Sequence, residues 1–199
     1  PEQAGLADEF SNGNGSLMRI LPVSLRYFDS PIEVLLDHAH RVSALTHRHI
    51  RCQIACGFYC AVVSEMLRGN KINEAYLWAI NSTKALYEQS PYSEELPAFA
   101  RVLSGDIGSL SESEIRSSGY VIHTLEASIW CLCNTGSYQD AVLTAVNLGE
   151  DTDTTAIVTG GLAGLEYGVH TIPSKWIDKL ARRTDLETLF DQFVAEVLS

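Results

Sequence analysis

The sequence predicts an all-α fold, a single helical domain over residues 1–199. Three observations carry that prediction. Helix-start signatures recur along the chain, apolar residues between them follow a helical period, and no run alternates apolar and polar residues as a strand would. No fixed-period repeat or low-complexity tract divides the chain.

The elements follow in order. Ser30-Pro31-Ile32-Glu33 combines an N-cap serine, an N1 proline and a capping-box glutamate ahead of Val34, Leu35 and Leu36. The same box recurs at Ser111/Glu114 and Thr184/Glu187, with a looser version at Ser137/Asp140. Residues 48–68 keep a helical period up to Gly69, a natural C′ stop. Asn73 is placed to cap the next helix, through about Tyr87, before Pro91 and Pro97 break the chain. The polar stretch 104–118 reads as the longest loop. Helices are expected over 120–134, 138–148, 152–167, 174–182 and 185–198.

On the helix after Thr152, Ala156, Gly160, Gly164 and Gly168 lie four apart, leaving one side nearly bare backbone. Each glycine costs roughly 1 kcal/mol of helix propensity relative to alanine. A second helix packed closely into that groove would offset the cost, so this helix is expected to be central.

Composition narrows the function classes. The net charge of −11 argues against a protein that tracks nucleic-acid phosphates with a basic face. No apolar run is read as a membrane span and no signal-peptide pattern opens the chain, so no membrane partner is expected. The chain opens at Pro1, not at a methionine, as a fragment or processed product would. Its five cysteines lack zinc-site spacing and fit reduced, buried thiols of a cytoplasmic protein.

Three segments can carry chemistry. Leu148-Gly149-Glu150-Asp151-Thr152-Asp153-Thr154-Thr155 crowds acids and hydroxyls at a helix start. One oxygen would suffice for a cap. Asp151, Asp153 and Thr154 offer several, as a hard divalent cation requires, although an EF-hand offset is absent. Both readings stand on spacing alone. Ser11-Asn12-Gly13-Asn14-Gly15-Ser16, ahead of Leu17-Met18-Arg19, allows positive φ angles. It forms either an anion nest of N–H groups or a plain tight turn. His47, in Leu45-Thr46-His47, is either a site residue or a cap at a helix junction. The pairs His38/His40 and His47/His49 point too far apart on a helix to chelate.

Together these segments resemble the ADP-ribosylglycohydrolase family. The matching stretches are Gly13-Asn14-Gly15-Ser16-Leu17-Met18-Arg19, Leu45-Thr46-His47 and Gly119-Tyr120-Val121 with Thr124-Leu125-Glu126-Ala127. The longest is Asn147-Leu148-Gly149-Glu150-Asp151-Thr152-Asp153-Thr154, continuing through Gly160, Gly164 and Tyr167-Gly168 to Ile172-Pro173 and Trp176. The resemblance implies a compact orthogonal multi-helix bundle with a pair of Mg²⁺ ions (Mn²⁺ being the alternative) at the base of a cleft. It implies that Asp151, Asp153 and Thr154 are metal ligands, with Asp151 and Asp153 catalytic. Ser11, Asn12, Gly13, Asn14 and Gly15 would cradle the pyrophosphate of ADP-ribose, and His47 would line the same cleft. Arg19 is read as a structural ion-pair donor.

The implied activity is Mg²⁺-dependent hydrolysis of the glycosidic bond between ADP-ribose and an acceptor. An ADP-ribose-binding pseudo-enzyme and an assembly protein without turnover are the alternatives. The chain departs from the family pattern at Glu150, where a second glycine is usual. It also lacks the family's N-terminal Thr-Asp-Asp-Thr-like block, and neither Asp8-Glu9 nor Glu94-Glu95 replaces it. The isolated chain is therefore expected to hold metal weakly and hydrolyse slowly. Its uncovered apolar surface is expected to take up self-association or a separate N-terminal segment.

Overall fold

A computed structural model describes residues 1 and 3–198 of the chain. The helices are α1 Leu21–Tyr27, α2 Ile32–Ala44, α3 Ile50–Leu67, α4 Ile72–Tyr87, α5 Val121–Cys133, α6 Tyr138–Asn147, α7 Thr152–Tyr167, α8 Ser174–Ile177 and α9 Arg183–Leu198. Short 3₁₀ turns fill the connections, including Leu17–Arg19 and Glu112–Glu114. Among the described residues the only β pairings are isolated bridges, Leu6 with His47 and Gly13 with Tyr120.

The core is built around α3, not α7 as expected. Residues of α3 from Cys52 to Met66 are almost all buried, on every face. Long enough and apolar enough to cross a membrane by composition, α3 corrects the sequence reading that no such run exists, yet most of it is enclosed by protein. A helix apolar all round belongs in a core. Small side chains at Cys52, Ala55, Cys56, Gly57, Cys60 and Ala61 let α2, α4, α1 and α5 approach it. All five cysteines are free thiols.

α7 packs on α5 and α6 at the side of α3. Its glycine stripe is not a groove for one helix. A Cβ on Gly160 would meet Tyr138 of α6 at 3.4 Å, whereas one on Gly164 would meet nothing within 4 Å. The close approach falls one residue round the helix, at Gly161, where a Cβ would stand 2.7 Å from Tyr59 Oη of α3.

Helix ends differ where a distant side chain or a proline intervenes. α2 starts at Ile32, because Pro31 itself takes the extended N-cap conformation (φ −51°, ψ 145°) and Ser30 lies outside. α4 is capped at Lys71, not Asn73, and the carboxylate of Glu166 accepts from Ile72 N at 3.2 Å. The Ser111/Glu114 box forms, but around a 3₁₀ turn. Ser137 caps α6 as expected. α9 begins at Arg183, so Thr184 lies inside it and does not cap it. The helix expected over 174–182 stops at Ile177, and Arg182 turns left-handed (φ 56°) before α9. Leu189, Phe190 and Val194 of α9 are exposed.

The histidines take separate structural roles. His38 stacks on Tyr27, and His49 Nδ1 accepts from Arg51 N to cap α3. His40 is buried between hydroxyls, with Tyr92 Oη 3.0 Å from Nδ1 and Tyr87 Oη 3.0 Å from Nε2. Burial pushes its imidazole down to about 4, against a smaller opposing pull from Asp37. A depressed histidine stabilises the fold fully above its unfolded value of 6.5, and that contribution is lost as pH falls through about 4. The expected loss between neutral pH and pH 4 is about 3 kcal/mol, read as a falling urea midpoint that flattens in His40→Gln. An equal acid response in the variant would assign the effect elsewhere.

Candidate functional site

Three turns, remote in sequence, meet at the start of α7. The entry to that helix is a left-handed pair, Gly149 (φ 84°) and Glu150 (φ 53°), which reverses the chain after α6. Asp151 N then donates to Ser117 O (3.0 Å) and Ser117 Oγ donates to Gly149 O (2.8 Å), so the loop before α5 fixes the turn. Glycine suits the Glu150 backbone better than any L side chain. Glu150→Gly is expected to raise stability by about 1 kcal/mol in urea unfolding. No gain, or a loss, would mean that the glutamate side chain compensates for its backbone.

The Asp151 and Asp153 carboxyls lie against each other, and neither has a lysine or arginine partner among the described residues. Thr154 is buried beside them. Burial alone would raise the Asp151 carboxyl. Hydrogen bonds from Asn14 and Thr154 outweigh it and hold the group below the usual aspartate range. Asp153 Oδ1 accepts from Thr154 N at 3.0 Å. The converging acids expected from sequence are therefore present, Asp151 is held in its charged form, and neither has a lysine or arginine partner among the described residues.

Asn14 joins the first turn to this one. Its Nδ2 donates to Asp151 Oδ2 and to Thr124 Oγ1 of α5, 2.8 Å each. Asn14 N donates to Gly119 O and Val121 N to Asn12 O, pairing the Asn-Gly turn with the segment before α5. This corrects the anion-nest expectation. None of Asn12, Gly13, Asn14 or Gly15 has positive φ, and the N–H groups of Ser11 and Asn14 are already engaged. Gly15 is required for another reason: a Cβ there would stand 2.7 Å from His47 Cε1. Ser11 turns its hydroxyl to Asp8 Oδ2 (2.7 Å).

His47 thus sits against the Asn-Gly turn, half-buried, as the third component. Burial, with the Arg19 charge added, lowers its imidazole, so it is neutral near pH 7. Thr46 Oγ1 accepts from Arg19 Nη2 (2.8 Å) and lies 2.9 Å from His47 Nδ1. With its own proton free to donate to Nδ1, that hydroxyl leaves Nε2 as an N–H beside Gly13 and Gly15. Arg19, expected to form an ion pair, instead orients this hydroxyl; it has no carboxylate partner among the described residues.

The sequence reading missed Ser117 and Thr124 as parts of the site. Thr124 lay within a quoted motif, but only the fold reveals that it shares Asn14 with Asp151.

Residues 1–198 match the family profile described as ADP-ribosylglycohydrolase. The chain is 34% identical over 183 residues to the ADP-ribosylarginine hydrolase Tri1 of Serratia proteamaculans (strain 568), covering 90% of this chain and 46% of the relative. It is 27% identical over 177 residues to the ADP-ribosyl-[dinitrogen reductase] glycohydrolase of Rhodospirillum rubrum, covering 88% of this chain and 53% of the relative. A solved ADP-ribosylglycohydrolase-related protein complex superposes with a TM-score of 0.76 at 31% identity, covering 92% of this chain and 60% of that one. The chain spans about half the length of the curated relatives it matches. With the acid turn, the Asn-Gly turn and His47 brought together in an all-helical fold that matches over nearly its whole length, the chain belongs to the ADP-ribosylglycohydrolase family.

Proposed function

We propose that this chain supplies part of a Mg²⁺-dependent site that hydrolyses the glycosidic bond between ADP-ribose and an acceptor. The observation that carries the reading is the clip from Asn14 to Asp151, which sets the Asn-Gly turn beside two carboxylates that have no lysine or arginine partner among the described residues. Such a pair, with Asp151 held charged and a hydroxyl alongside, fits a hard dication, and Asp151, Asp153 and Thr154 would hold it. The bound metal would orient ribose hydroxyls and a water nucleophile.

The chain's own groups bind the rest. The N–H groups of Asn12, Gly13 and Gly15 take no acceptor among the described residues, and with His47 Nε2–H they would be the donors to a phosphate group, without the left-handed geometry of a nest. Asn14 acts by positioning Asp151, since its amide protons are engaged there and at Thr124. Three protein oxygens from one turn hold Mg²⁺ weakly, because this ion gives up its waters reluctantly. The isolated chain is therefore expected to bind ADP-ribose measurably and turn over slowly. Calorimetric titration with ADP-ribose, with and without Mg²⁺, tests the reading. Metal-strengthened binding is the expected result, and equal binding in both arms would leave only a metal-free binding module.

A further inference from the structure

A second hollow lies on the outer flank of α5. Arg101, Glu114, Arg116, Tyr120, His123 and Glu126 line it, with a volume of ≈ 250 Å³. That is just under the ~300 Å³ at which pockets begin to hold drug-sized ligands, so it suits a small ion better than a nucleoside. The 116–120 loop forms its inner wall, the same loop whose Ser117 carbonyl receives Asp151 N on the other side.

The donors in this hollow are only partly used. Arg101 commits Nε and Nη2 to the buried carboxylate of Glu126 (3.0 and 2.7 Å) and Nη2 also to Glu114 O. Its Nη1 remains. The Glu114 carboxylate is turned away to Ser111. Arg116 is exposed and forms no ion pair among the described residues. His123 holds Ser118 Oγ through Nδ1 (2.7 Å) and keeps Nε2. Three nitrogen donors thus remain beside the engaged carboxylates of Glu126 and Glu114, on a chain whose net charge is −11. Burial, then the charge of Arg116, holds His123 below its usual value, with Glu150 opposing and Arg101 adding to the effect. The guanidinium charges thus disfavour charging of the imidazole, and an anion placed among the three would offset that effect.

We propose that this hollow is an anion site, separate from the Asp151 turn, that takes one phosphate group between Arg116, His123 Nε2 and Arg101 Nη1. Guanidinium pairs are suited to phosphate oxygens by charge and by their planar fork. The phosphate could be free orthophosphate or the terminal phosphate of a sugar ester, and the test separates them.

The test is an NMR titration of the full chain at constant ionic strength, following backbone amides of residues 116–126, with orthophosphate in one arm and ribose 5-phosphate in the other. Saturable shifts in that segment are expected. Arg116→Ala, an exposed position, should weaken affinity about tenfold or more, and Arg116→Lys should recover part of it. His123→Gln should weaken it less. Orthophosphate binding assigns the site to the free ion, and binding of the ester alone assigns it to a terminal phosphate. Shifts from neither overturn the proposal. So does binding that survives Arg116→Ala but disappears in His47→Ala, which belongs to the Asn-Gly turn.

Discussion

Asp151→Asn is expected to remove the Mg²⁺-linked part of ADP-ribose affinity, by at least ~100-fold, while the chain stays folded. The substitution keeps the side-chain shape but exchanges a charged oxygen for an amide. Asp151 is held in its charged form by Asn14 and Thr154 against burial, so the fold maintains a carboxylate there. The amide occupies the same space and can still accept from Asn14 through its oxygen, so the chain should remain folded. Asn14→Ala should show a smaller loss, about 10–100-fold, the range for a residue that orients a metal ligand without touching the metal. The order of the two effects is the informative result. Equal metal dependence in wild type and Asp151→Asn would remove the acid turn from the metal shell.

Gly57→Ala is expected to have the largest effect on stability, about 3 kcal/mol or more in urea unfolding. The new Cβ would overlap the Tyr87 hydroxyl, lie 2.8 Å from His40 Nε2 and 3.1 Å from Leu36 Cδ2. Those groups sit on α4 and α2, so α3 is pressed between them at this position. Relief would require breaking the His40–Tyr87 hydrogen bond and leaving buried polar atoms unpaired. Gly164→Ala is the control. A Cβ there meets nothing within 4 Å, so helix propensity should make it neutral or stabilising by up to ~1 kcal/mol. If Gly57→Ala unfolds like wild type, the packing of α2, α3 and α4 described above is wrong.

How far the sequence could be read differs from element to element. The bounds of α7, Thr152–Tyr167, were readable because a turn-forming pair precedes it and a glycine with positive φ follows it. The start of α4 was not, because its first N–H, that of Ile72, is met by Glu166, 94 residues away. α7 was misjudged as central because glycine spacing reports bare backbone but not what lies against it. At the site, the acids and the Asn-Gly turn announced themselves by composition. Their mode of use did not: Asn14 looked like a turn residue, and only tertiary structure makes it the clip on Asp151. The positive φ expected in that turn was replaced by bridge pairing with the segment before α5.

The same clip ties residues 137 positions apart in the chain. Contacts of such long range form late, after most chain entropy has been lost, and no local segment can hold them alone. A molecule that recognises the joined turns therefore recognises only the completed chain. Its affinity should appear as a shift in the global melting temperature, by mass action on the native state. Slowed hydrogen exchange should then reach the α3 core and not stop at the ligand's neighbours.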